Sequence, residues 1–400
     1  MQRGIILKDL GSSAAPHSRK QSLNGAEGPH DPLISLLAQI GRNWNLNVYL
    51  LSDMTKGNVL PSVGFQLRRA FLSDSDAIPV DDSKWSTFVR ELCIRYRKTP
   101  YHNERHAGTV AHLNVWLLRH TACWNVLTPL QKLAVVVSAL VHDVGHFGVN
   151  NSLLINSNHP LAITYNDRAV LENFHVSVAF RTMLFYSNGA ANILEHLSAD
   201  QYKSERAAIV ELVLETDLAS HFDFLTRFKL RMQVMQSTVS RMANADVATE
   251  EADRKAIGED TSTDCWMIAK ACIRCADIGH SAVNWEQHYK WSRALMKEFF
   301  SQGAQELELG LPISPVCNEQ TTDVPKSQIG FIRLICQPLF ETLEQADASG
   351  AILGVCLTQM RSNSGFWQRI SDTGVNWRDS NEVTALIPNA SGTPPARAAP

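Results

Sequence analysis

Long hydrophobic runs are missing from this 400-residue chain. The longest, Leu133 to Val141, falls far short of the roughly 20 residues that span a bilayer. The amino terminus, MQRGIILKDLGSSAAP, has only a short Ile-Ile-Leu apolar patch, too small for a signal-peptide core. An excess of one charge is missing too. With 37 basic and 40 acidic residues the net charge is −3, so no basic field is available to hold nucleic acid. Cysteine motifs are reduced to one isolated pair. Cys272 and Cys275 form a CxxC, but no second CxxC or Cys/His pair follows at zinc-finger spacing, and the surrounding sequence is apolar and helical. They read as buried structural thiols. Eight scattered cysteines suit a reducing compartment better than a disulfide scaffold. These absences together predict a cytoplasmic protein with no membrane insertion and no nucleic-acid partner.

Strand-like alternation is scarce, internal repeats are absent, and helical periodicity fills the middle of the chain. Thr128-Pro129 predicts a capped helix running to about Val144. Helices are also expected through DRAVLENFHVSVAFRTML, ERAAIVELVLETDL and SRALMKEFFSQG. The polar stretch from Ala243 to Thr263 reads as an exposed loop or a weak helix. Residues 1–30 and 387–400 are rich in small residues and proline, and bury too little to offset their ordering entropy. They are expected to be disordered arms flanking one all-α domain over 31–386. RKQSL at 19–23 resembles a basic-directed phosphorylation site.

What the chain does have is a concentrated set of metal-ligating side chains. His102 and His106, then His142, Asp143 and His146, place two histidine pairs at i, i+4 spacing. On a helix, each pair would share a face. The adjacent His142-Asp143 pair closes the apolar stretch LQKLAVVVSALV, where buried polar groups need a partner. Further acids follow: Glu172 with His175 at i, i+3, Thr216-Asp217 ahead of His221, and Asp277 at the end of MIAKACIRCA. A set of His106, His142, Asp143 and Asp277 would hold one divalent ion with positions left open for water. Asp143 could bridge to a second, harder ion. Two ions roughly 4 Å apart lower the pKa of bound water from ~15.7 towards ~7, giving a metal-bound hydroxide poised to attack phosphorus.

The motifs YHNERHAGTVAH, HDVGHFGVNNSL, YNDRAVLENFHVSVAF, VLETDLASHF, CADIGHS and KSQIGFI follow in order. Together they resemble those of class I 3′,5′-cyclic-nucleotide phosphodiesterases, over about Asn43 to Glu344. NWEQHYKWSRALMKEFFSQGAQELELGLPISPVCNE resembles the calmodulin-stimulated mammalian type in particular. The resemblance implies a compact multi-helix fold of the HD superfamily with a binuclear metal site. It implies hydrolysis of cAMP, and of cGMP as well, to the 5′-monophosphates, which ends cyclic-nucleotide signalling. His102 would be the general acid that protonates the leaving O3′. His106, His142, Asp143 and Asp277 would bind the tighter ion, taken as Zn²⁺. The second ion, Mg²⁺ or Mn²⁺, would have its waters oriented by His146, Glu172 and Thr216. Gln328 would hydrogen-bond the purine edge, Phe331 and Leu295 would sandwich the ring, and Tyr101 and His280 would line the pocket.

Departures accompany the match. Gly145 stands where the family often has an acid. His280 occupies a position that is asparagine in several cAMP-selective members. The amino-terminal sequence lacks a basic amphipathic helix, so calmodulin control is not carried over. The sequence is compatible with an oligomer. A di-iron oxidase would need a second Glu-x-x-His, which is missing. A nucleotide sensor without catalysis would be expected to have lost His102 or a ligand, and both are intact.

Overall fold

The Thr128 hydroxyl accepts from the Gln131 N–H (3.2 Å), and the Gln131 side chain accepts in return from the Thr128 N–H (2.9 Å). This reciprocal cap, with Pro129 next, starts the helix Pro129–Val141. Every residue from Leu133 to Val141 is buried. Each large apolar side chain in it contributes roughly 1.5–3 kcal/mol by leaving water. The helix stops at Val141, three residues earlier than expected, because the chain turns sharply through Gly145.

The computed structural model describes residues 31–73, 80–121, 123–243, 251–347 and 349–387. Among them there is no strand, and the architecture is all-α as expected. The arms predicted over 1–30 and beyond residue 387, and the 19–23 motif, lie outside the described residues. Packed around Pro129–Val141 are the helices Glu104–His120 and Ala199–Leu214; Glu104–His120 also packs against Val59–Phe71 and Glu251–Asp277. The buried Asn114 amide donates to the Val135 carbonyl (3.1 Å), and the Tyr96 hydroxyl to that of Leu140 (3.0 Å), tying polar groups between layers.

The remaining expected helices form as Val170–Arg181, Ala199–Leu214 and the long Trp285–Glu308. From Glu251 the polar stretch is helical and continues without a break to Asp277; residues 244–250 lie outside the described residues. All eight cysteines are free thiols, and Cys272 and Cys275 are buried, as read from the sequence. No described helix is long and apolar enough to cross a membrane.

Candidate active site

His102 does not stand on a helix. The Asn103 side-chain oxygen accepts from the N–H groups of Arg105 (2.9 Å) and His106 (3.3 Å), starting Glu104–His120 one residue later. His102 therefore lies in the preceding turn. The second pair is off-helix as well: His142 caps Pro129–Val141, and His146 follows the turn at Gly145. The expectation that each pair shares a helical face is thus corrected. One helix starts and the other stops at the site, and the flanking turns bring the side chains together.

The convergence is tight. His106 Nε2 lies 3.1 Å from Asp277 Oδ1 and 3.3 Å from Asp143 Oδ2. His142 Nε2 lies 3.2 Å from each of the same oxygens and from His106 Nε2. Five separations of 3.1–3.3 Å bring the four donor atoms close enough together to share one ion at zinc–nitrogen and zinc–oxygen bond lengths of roughly 2.0–2.2 Å. His142 Nδ1–H donates to the Ala139 carbonyl (2.9 Å), which leaves a lone pair on Nε2 turned inward. Asp143 Oδ2 is buried without a hydrogen-bond donor. A buried convergence of acceptors calls for a cation, and the four residues fit one. Burial would raise the Asp143 carboxyl, but His142 and His106 hold it well below the carboxylate range.

Around this cluster lies a second tier. His175 donates Nδ1–H to the Val144 carbonyl (2.9 Å), and its Nε2 faces Asp143 Oδ1 at 3.7 Å, beyond direct bonding. His146 Nδ1 accepts from the Gly148 N–H (2.9 Å), so its Nε2 carries the proton and can donate to a water but not ligate an ion. The Glu172 carboxylate accepts from Asn151 (3.0 Å); burial and then Asp217 push its pKa up to about 7. Thr216 is buried nearby in sequence to Asp217, its hydroxyl donating to the Val213 carbonyl (2.8 Å).

His102 packs on His146, ring centroids 4.0 Å apart and nearly parallel. Its Nδ1 meets Glu298 Oε2 at 2.6 Å, while Glu298 Oε1 accepts the N–H groups of Tyr101 (2.5 Å) and His102 (2.9 Å). Burial alone would depress the imidazole, but the bond to Glu298 and the neighbouring Asp143 charge leave its pKa raised. The Tyr101 ring joins two halves of the site, 4.7 Å from both His102 and His106 and 5.6 Å from His280. Beyond it, the His280 and Phe331 rings lie parallel at 6.1 Å. The Ser292 hydroxyl donates to Gln328 Oε1 (3.1 Å), and Leu295 sits one turn along the same helix. His280 Nδ1 is buried without a partner; burial and His288 hold its pKa far down, so it is neutral.

Residues 101–351 match the family described as 3′5′-cyclic nucleotide phosphodiesterase. The chain belongs to that family. Similar proteins include a dual 3′,5′-cyclic-AMP and -GMP phosphodiesterase beta of Plasmodium falciparum, 34% identical over 70% of this chain and 23% of its own length. A probable 3′,5′-cyclic phosphodiesterase of Caenorhabditis elegans is 35% identical over 80% of this chain and 44% of its own. The human dual specificity calcium/calmodulin-dependent 3′,5′-cyclic nucleotide phosphodiesterase 1C is 31% identical over 93% and 47%. The chain spans under half the length of these three relatives. Its fold is similar to the crystal structure of the phosphodiesterase domain of a RhoPDE fusion protein from the choanoflagellate Salpingoeca rosetta. The TM-score is 0.71 at 26% identity, covering 86% of this chain and 99% of that one.

Within the family frame, two side chains at the site were not assigned a place from the sequence. His175 carried a signal, its i, i+3 spacing from Glu172. Glu298 carried none, since it lies 196 residues from the histidine it touches. Gly145, the departure from the family pattern, has a local reason. It takes φ +85°, and a Cβ there would meet the Phe174 ring at 3.0 Å, so an acid would be strained and crowded.

Proposed function

We propose that this chain hydrolyses 3′,5′-cyclic nucleotides, both cAMP and cGMP, to 5′-nucleoside monophosphates and so terminates a cyclic-nucleotide signal. Residues 31–386 form the catalytic domain in this reading. The observation that carries it is the converging His106–His142–Asp143–Asp277 set with the Glu298-bound His102 beside it. Nitrogen and carboxylate donors at these separations suit Zn²⁺. A second, harder ion such as Mg²⁺ or Mn²⁺ would share Asp143, with His146, Glu172 and Thr216 holding its waters. Bound there, the two ions supply a nucleophilic water and neutralise phosphoryl charge.

The remaining work belongs to side chains. Glu298 takes the His102 Nδ1–H, which fixes the ring and leaves Nε2–H of the imidazolium to protonate the departing O3′. An alkoxide is a poor leaving group, so the raised pKa of His102 keeps the proton available near neutral pH. Tyr101 and His280 wall the passage to the base, Phe331 and Leu295 clamp it, and Gln328 reads its edge. The Ser292 hydroxyl can donate to the Gln328 amide or accept from it, so either amide orientation, and hence either purine, is served. Eight free thiols suit a cytoplasmic setting.

The decisive experiment is steady-state hydrolysis of both cyclic nucleotides by purified, metal-replete protein, before and after chelation. Release of 5′-AMP and 5′-GMP that chelation abolishes is expected; no 5′-AMP from cAMP would overturn the reading. Gln328→Ala should act chiefly on KM, because it removes contacts remote from phosphorus that cost roughly 1–3 kcal/mol.

A further inference from the structure

Arg274 stands one helical turn before Asp277 on Glu251–Asp277, its side chain only 3% exposed. Burying a guanidinium is costly unless its donors are met, and this one collects partners from three consecutive elements. Its Nε–H (3.1 Å) and Nη2–H (2.8 Å) both donate to Glu215 Oε2, at the end of Ala199–Leu214. Nη2 also donates to the Ser220 hydroxyl (2.6 Å), which in turn donates to the Asp217 carbonyl (2.9 Å). The guanidinium carbon lies 4.4 Å from the centroid of the Phe224 ring, on His221–Ala243. Thr216 and Asp217 fall between the two anchors, Glu215 and Ser220. That turn faces the metal cluster. Burial apart, the Glu172 carboxylate is disfavoured by the negative charge of Asp217 and, more weakly, by that of Asp143.

We propose that Arg274, acting through Glu215 and Ser220, is a positioning residue for the second, harder ion: it holds the Thr216–Asp217 turn in fixed register with Asp277. The claim rests on the two-ion reading above. Stability does not account for the arrangement, because desolvating both members of a buried ion pair offsets much of their attraction. An apolar pair of similar volume would join the two helices as firmly. What it would lack is direction. The planar fork aims two N–H groups at one carboxylate oxygen and a third at a hydroxyl, which fixes the turn against rotation as well as translation. Waters held from Thr216 and Glu172 need that register, since a hydrogen bond weakens steeply once it is bent or stretched. The tighter ion is less dependent on it. His106, His142 and Asp143 stand outside this network, and Asp277 is placed by its own helix.

The test is Mn²⁺ binding to the zinc-loaded full chain, read from the spin-resonance signal of the free ion, with zinc measured by elemental analysis. It is repeated on R274M/E215Q, which leaves neither charge buried without its partner, and on Ser220→Ala. In R274M/E215Q the zinc content should be unchanged and the Mn²⁺ affinity lowered roughly 10–100-fold, the range for groups that orient a metal's ligands from behind. Ser220→Ala removes only the hydroxyl link, so it should shift Mn²⁺ affinity the same way by less, and it keeps the test open if the double variant does not fold. Unchanged Mn²⁺ affinity in the folded variants, even with a lowered Tm, would show that the pair only packs and overturns the proposal. Loss of zinc together with Mn²⁺ in Ser220→Ala also overturns it, since the effect would not be confined to the second ion. A natural chain that holds zinc but binds no Mn²⁺ overturns the two-ion reading and this proposal with it, an outcome distinct from equal Mn²⁺ binding by natural chain and variants.

Discussion

The His102–Glu298 contact governs both the direction and the proton affinity of one imidazole. With Nδ1 held at 2.6 Å by a carboxylate, the ring can offer only Nε2 to a substrate. An acid catalyst must be protonated, so activity is lost as pH rises through its pKa. Glu298 raises that pKa, and Glu298→Gln should therefore move the alkaline limb of the kcat profile to lower pH. kcat should fall with little change in KM, and by less than in His102→Ala, for which roughly 10²–10⁴ is the usual loss of a positioned acid. A pH profile in Glu298→Gln that overlays the natural one would show that the carboxylate only packs.

One helix, Trp285–Glu308, organises most of the site. Its buried polar residues Gln287, His288, Ser292, Glu298, Gln302 and Glu306 fall at helical spacing along one side. Ser292 reaches Gln328, Glu298 reaches His102, and Gln302 accepts the Asn150 N–H (2.9 Å) just beyond the metal turn. Glu306 accepts the Ser314 N–H (2.7 Å) and hydroxyl (2.5 Å), drawing the following loop against the helix. Gly303 permits the approach: a Cβ there would lie 2.0 Å from the Cys317 carbonyl oxygen, a backbone atom that cannot swing away. Gly303→Ala should destabilise the protein by about 1–3 kcal/mol or more, as overpacking does. Urea unfolding would register this as a lower midpoint at unchanged slope; a midpoint equal to that of the natural chain would mean the loop yields freely.

Across the whole molecule, the candidate metal set joins three helices, since His106 lies in the first turn of one, His142 caps a second and Asp277 ends a third. An ion bound there binds only the folded state, so zinc should raise Tm and chelation should lower it. In Asp277→Ala the tightly held zinc should be missing by elemental analysis and Tm should no longer respond to chelator; undiminished zinc would refute the ligand set. Stability should also depend on pH through a group far from chemistry. Glu205, on Ala199–Leu214, is buried with Oε1 unpartnered, and burial pushes its pKa from 4.5 up to about 8. Between those values the folded chain keeps a proton that the unfolded chain releases, so stability falls as pH rises through the window and then levels. At roughly 1.4 kcal/mol per unit the loss is at most about 3–5 kcal/mol. Denaturation midpoints at about pH 5 and about pH 8 should converge in Glu205→Gln; an undiminished difference would place the effect elsewhere.

By itself the sequence determined the helical class, the helix starting at Thr128-Pro129 and the family, because caps, periodicity and motif spacing are written in neighbouring residues. It also marked His106, His142, Asp143 and Asp277 as candidates, since paired imidazoles and carboxylates beside apolar runs need a partner. Only the tertiary structure decided that the histidine pairs meet through turns, that His106 and Asp277, 171 residues apart, come within 3.1 Å, and that Glu298 orients His102. The reason is physical. Polar residues on a helix read locally as a solvated face, and the stripe from His288 to Glu306 turns inward only because other elements of the fold supply its hydrogen-bond partners.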